Sequence, residues 1–149
     1  MERQGRKIGI VGLANEETPS LASPCKEARF SPAETALREA AASLRAQGVD
    51  IIIALTHLGL DADCALAERV EGVDVFVGGH THSLLSNTEP KAAGPYPIVK
   101  RSPSGEPVLI VTAASSCKLL GHITVDFNDA GVARRWNGEP IVLDGRNVA

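Results

Sequence analysis

The tightest constraint on this chain is an alternation of two periodicities in its first half. Three apolar runs have the length of strands: Lys7-Ile8-Gly9-Ile10-Val11-Gly12-Leu13, Asp50-Ile51-Ile52-Ile53-Ala54-Leu55 and Val73-Asp74-Val75-Phe76-Val77. The middle run is apolar on both faces, so it needs cover on both, as a central strand does. Between the runs lie two segments of helical periodicity. Residues 33–47 are rich in Ala, Leu, Glu and Arg, and Ala36, Leu37, Ala40, Ala41 and Leu44 form one apolar stripe. Ser31-Pro32-Ala33-Glu34 reads as its start, with Ser31 as N-cap, Pro32 first in the helix and Glu34 three residues after the cap; Gly48 stops it. A second helix is expected over residues 62–70. This strand–helix–strand–helix–strand order predicts an α/β fold with a parallel sheet and right-handed crossovers.

The second half reads differently. Residues 14–31, before the first helix, and 84–97 carry prolines and are expected as loops. Strands are then expected at 98–100, 107–112 and 121–127, with Asn128-Asp129-Ala130-Gly131 as a hairpin turn and residues 132–143 pairing back. The prediction is a parallel β-α-β-α-β part followed by an antiparallel β meander. At 149 residues this is one domain.

Composition excludes several partners. A net charge of −3, with Arg134-Arg135 the only adjacent arginines and 3% aromatic residues, gives no surface for nucleic acid. No segment approaches the roughly 20 apolar residues of a membrane span, and residues 8–13 are too short for a signal peptide, so the chain as written reads as cytoplasmic. Cys25, Cys64 and Cys117 are odd in number and widely spaced, which predicts incidental thiols, not a disulfide or a cysteine metal site.

Histidines carry the chemistry. His57 follows the second strand in Thr56-His57-Leu58-Gly59, and Gly78-Gly79-His80-Thr81-His82-Ser83 follows the third. Three of four histidines therefore stand past the ends of two strands, where open α/β sheets bind ligands. Imidazole binds Zn, Mn, Fe and Co, and the glycines let the backbone approach closely. His80 and His82 point to alternate sides if the turn is extended, so the pair could serve two adjacent metals. An isolated His-x-His is as readily a surface loop; His57 at a matching strand end shifts the balance to metal. Asp61 or Asp63 reads as the N-cap of the second helix, Asp74 as able to face solvent, and His122 as structural or solvated. Ser115-Ser116 lacks a His–Asp partner, which disfavours a serine hydrolase.

The segments Gly-Val-Asp-Ile-Ile-Ile-Ala-Leu-Thr-His-Leu-Gly at 48–59 and Gly-Val-Asp-Val-Phe-Val-Gly-Gly-His-Thr-His-Ser at 72–83 resemble the 5′-nucleotidases, a branch of the calcineurin-like metallophosphoesterases. The likeness continues through Gly94-Pro95-Tyr96-Pro97, the 120–127 strand and Trp136-Asn137-Gly138-Glu139-Pro140-Ile141. It implies half of an α/β-β/α sandwich, with His57 and His80 on one divalent metal and His82 on the other of a binuclear Zn, Mn or Co centre. It also implies a phosphoester substrate, with nucleoside 5′-monophosphates foremost, and a periplasmic or extracellular setting for the family. The family's Asp-x-His, Gly-Asp and Gly-Asn-His-Asp/Glu motifs are not found, and Cys117 stands where the family usually has Gly. The chain is thus expected to be the C-terminal half of a catalytic domain. The N-terminal half, in cis or trans, and a C-terminal nucleotide-binding domain would be absent, leaving apolar sheet surface and unpaired backbone exposed. Alone it is expected to be inactive. The alternative is a truncated, non-catalytic metal-binding or interaction module of the same descent.

Overall fold

The structure is a computed structural model, and it describes residues 1–23 and 26–144; Cys25 lies outside the described residues. The chain runs β1 (Glu2–Arg3), β2 (Arg6–Leu13), α1 (Thr18–Leu21), α2 (Ala33–Ala46), β3 (Ile51–Thr56), α3 (Leu60–Arg69) and β4 (Val75–Val77). It continues through β5 (Ile98–Arg101), β6 (Pro107–Val111), β7 (Leu119–Leu120), β8 (Ile123–Phe127), β9 (Ala133–Gly138) and β10 (Ile141–Val142). One six-stranded sheet has the order β1-β2-β3-β4-β6-β5, in which β2, β3, β4 and β6 are parallel and the edge strands β1 and β5 antiparallel.

Register decides which side chains meet. Val11 aligns with Ala54, Ala54 with Phe76 and Phe76 with Ile110, so these residues share one face. That face packs under both long helices, with Leu37 and Ala41 of α2 and Leu66 and Ala67 of α3 in the same cluster. Fully burying a side chain such as Phe76 contributes about 1.5–3 kcal/mol. The other face is covered only in part. The β8–β9 hairpin lays Ala133, with Val125, Phe127 and Trp136 around it, over Val75 and Leu109. Ile10, Leu55 and Val77 stay 53%, 55% and 36% exposed on that face. Beyond Ile8 the outer edge of β2 carries no strand among the described residues. No helix among the described residues is long and apolar enough to cross a membrane.

The expected parallel β-α-β-α-β part forms, but the antiparallel meander does not. The second half divides among three sheets: β5 and β6 join the main sheet, β8 pairs with β9, and β7 with β10. Strand β6 is drawn into the parallel sheet because Val108, Leu109, Ile110 and Val111 are all buried, and only a sandwiched strand covers both faces. The turn at 128–131 forms as expected, with the Asn128 side chain accepting from the Ala130 and Val132 N–H groups. The polar start of the chain forms β1 through a two-residue turn at Gln4 and Gly5, both with positive φ.

Helix α2 ends at Gly48 (φ +73) as expected, whereas Ser31 does not cap its start. The Ala33 N–H is instead satisfied by Glu16 Oε1 at 2.6 Å, a carboxylate from the preceding loop placed at the positive end of the helix. Asp74 is likewise corrected: it is 6% exposed, not solvated. Its Oδ2 accepts from the Ile52 N–H at 2.7 Å and from Arg45 at 2.9 Å. Arg45 also donates to the carbonyls of Val49, Asp50 and Gly72, so one guanidinium joins the ends of α2, β3 and β4.

Burial raises Asp74 from 3.8 to about 6, against the opposing pull of the Ile52 N–H and the Arg45 charge. An acid with a raised folded pKa binds its proton more tightly in the native state. Its contribution to stability therefore grows as pH falls through about 6 and levels off near 3.8. Denaturant titrations at pH 7 and pH 5 should show an Asp74 contribution of about 1 kcal/mol in favour of the lower pH, absent in Asp74→Asn.

Candidate functional site

Leu55 of β3 lies beside Val77 of β4, so the two strands finish together at their C-terminal ends. The ends are pinned by backbone bonds of 2.9 Å, His57 N–H to the Leu13 carbonyl and Gly78 N–H to the Val111 carbonyl. His57 follows β3 directly and His80 comes shortly after β4. Their ring centroids are 5.3 Å apart with planes at 69°. The structure thus brings together two of the three histidines singled out in the sequence.

Three glycines let the two loops interlock. A methyl group at Gly79 would sit 3.2 Å from His57 Nδ1, and one at Gly59 would sit 2.8 Å from the Thr81 methyl. At Gly78 it would overlap Asp63 Oδ2. Thr81 also reaches across, its Oγ1 accepting the Leu60 N–H at 3.2 Å and contacting Ser83 Oγ at 2.9 Å. The His80 loop therefore caps α3 in place of Asp61 or Asp63, which make no cap hydrogen bond. Asp63 is instead 1% exposed, and Thr56 Oγ1 donates to its Oδ2 at 2.8 Å. Desolvation raises its pKa from 3.8 to about 6, partly offset by the Thr56 hydroxyl.

His80 has a polar neighbour that sequence reading missed. Asn15 Nδ2 lies 3.1 Å from His80 Nε2, and Asn15 Oδ1 is occupied by the Glu17 N–H. The amide therefore offers its NH2 group, and the ring nitrogen accepts. A cleft of about 630 Å³ opens here, bordered by Asn15, Glu34, Leu58, Leu66, Arg69 and His80. His82 is exposed and no contact ties it to the other two histidines; His122 is exposed in line with expectation. Cys64 is half-buried, with burial pushing its thiol up, and Cys117 is exposed.

Among the described residues no three His, Cys, Asp or Glu side chains converge on a point where a metal could sit. The donor set fits a divalent ion in part: His57 and His80 are neighbouring imidazoles held by interlocked loops. They offer two ligands, fewer than the three protein ligands of a catalytic zinc site.

Strain collects around this point. His80 (φ 82), His82 (φ 54), Ala114 (φ 57), Ser116 (φ 65) and Cys117 (φ 53) all occupy the left-handed region. The Ala114 N–H donates to the Ser83 carbonyl at 3.0 Å, which joins the two strained loops. Such conformations cost a non-glycine residue about 1–2 kcal/mol each and cluster where function fixes the backbone. At Cys117 glycine would carry no such cost. Cys117→Gly should raise the unfolding free energy by about 0.5–1 kcal/mol after the entropy of a freer unfolded chain is deducted, read by thermal melting.

No family model matches the chain. The snake venom 5′-nucleotidase of Naja atra is 40% identical over 142 residues, which cover 93% of this chain and 27% of that protein. Among solved structures, the 5′-nucleotidase precursor of Thermus thermophilus superposes with a TM-score of 0.89 at 37% identity, covering 93% of this chain and 28% of that one. The Haemophilus influenzae NAD nucleotidase gives 0.91 at 30% identity, covering 96% and 26%. The chain spans about a quarter of the length of these relatives. Across nearly its whole length it shares their sequence and fold, and it belongs to the 5′-nucleotidase family.

Proposed function

We propose that this chain supplies the histidine-bearing part of a metal-dependent phosphoester hydrolase acting on nucleoside 5′-monophosphates. His57 and His80 would hold one divalent ion, Zn, Mn or Co, and His82 would contribute to a second. The observation that carries this reading is the 5.3 Å approach of the His57 and His80 rings at the aligned ends of β3 and β4. Bound metals would polarise the phosphoryl group and stabilise the charge of an in-line displacement. The chain's own contribution is to orient. The glycine interlock fixes the separation of the two loops. The remaining ligands would come from a further portion of the catalytic domain, in the same polypeptide or a second chain. The exposed Ile10, Leu55 and Val77 strip is surface such a portion would cover.

A polypeptide of the relatives' full length carrying these residues, loaded with Zn²⁺, Mn²⁺ or Co²⁺, should release phosphate from AMP. His57→Ala or His80→Ala should lower that rate by about 100-fold or more. The 149-residue chain alone should release none. A full-length protein that binds metal and hydrolyses neither AMP nor any other phosphoester would overturn the proposal. That result favours the second reading, a non-catalytic module, for which the meeting of only two imidazoles among the described residues speaks.

A further inference from the structure

Asp63 is a deeply buried charge that the reading above does not use. One oxygen accepts the Thr56 hydroxyl at 2.8 Å; the other, Oδ1, is sealed from solvent with no hydrogen-bond partner. Leaving a buried acceptor unmet is destabilising. An apolar side chain would avoid that cost, and the neighbouring residues on the same face of α3, Leu66 and Ala67, show that this stripe accepts them.

What Asp63 touches accounts for its presence. Thr56 is the last residue of β3 and immediately precedes His57. Gly78 is the first residue after β4, two before His80, and its missing side chain is the space that Asp63 Oδ2 fills. One carboxylate on a rigid helix therefore bears on both strand ends at the roots of the two histidine loops. We propose that Asp63 is a positioning residue: through the Thr56 hydroxyl and the open Cα of Gly78 it sets the spacing between the His57 and His80 loops, and so presets the two imidazoles to share a divalent cation. The cation-binding half of this inference rests on the metal reading above, whereas the positioning half concerns the metal-free loops.

Two measurements on the 149-residue chain separate the halves. Cobalt(II) titration followed by visible absorption reads cation binding, and the nuclear Overhauser contact between the His57 and His80 rings reads spacing without metal. Asp63→Asn keeps a carbonyl to accept from Thr56 and should bind cobalt within about twofold of the unsubstituted chain, with the ring contact intact. Asp63→Leu and Thr56→Val remove the bond and should weaken cobalt binding tenfold or more and lose the ring contact. The denaturation midpoint of Asp63→Leu should hold or rise, a divergence of affinity from stability that a merely structural carboxylate would not produce. If Asp63→Leu fails to fold, Thr56→Val decides by the same criteria. Tight cobalt binding and an intact ring contact in the folded variants overturn the proposal. If the unsubstituted chain binds no cobalt, the cation-binding half fails, whereas the proposed function, which draws its remaining ligands from a further portion of the domain, is decided by phosphate release from the full-length polypeptide. The ring contact then decides the positioning half alone.

Discussion

Everything at the candidate site depends on backbone approach at three positions without side chains. Gly59, Gly78 and Gly79 each receive an atom group from across the gap between two loops: the Thr81 methyl, the Asp63 carboxylate and the His57 ring. Parallel strands place their ends side by side but leave the following loops free to diverge. Here the loops are held by volume, because each side chain fills a space that any larger residue would occupy. The hydrogen bond from Leu60 N–H to Thr81 then uses the same contact to start α3. Helix position and histidine position are thereby one geometric solution.

The opposite end of the sheet is fixed by charge. Arg45 meets three carbonyls and Asp74, and these acceptors lie on the connections that lead into β3 and β4. A planar guanidinium can satisfy several acceptors at once, which a lysine ammonium on a flexible stem does poorly. Strand entry is thus set electrostatically and strand exit sterically, and the parallel register between them carries alignment from one end to the other.

Most of the first half was legible because its periods were clean. Leu37 and Ala41 are buried on the stripe that spacing predicted, and Gly48 ends the helix with positive φ. The misreadings have physical signatures. Asp63 falls on the same helical face as Leu66 and Ala67, and Asp74 has the same strand parity as Phe76, so both acids carried an inward signal that their charge concealed. The capping of α2 by Glu16 and the approach of Asn15 to His80 join residues distant in sequence, and no local pattern encodes them. The strand assignments at 107–112 and 121–127 located real elements, while their partners depended on which faces were apolar. Matching strand ends put all three histidines at one edge of the sheet, and only the family resemblance singled out His57 with His80; His82 has no tie to that pair.

Leu55 lies two residues before His57, and Val77 three before His80, so the uncovered apolar strip and the histidine loops are continuous along the same two strands. As the chain stands, water surrounds both. Any surface that sealed the strip would dry the approach to the imidazoles as well, and attraction between charges there would rise as the local dielectric fell. Two neutral imidazoles alone would gain nothing from such a seal, but a sealing surface that carried anionic donors would hold a shared cation more firmly than either surface alone. Occupancy of the site and closure of the surface would then be thermodynamically coupled, each strengthening the other.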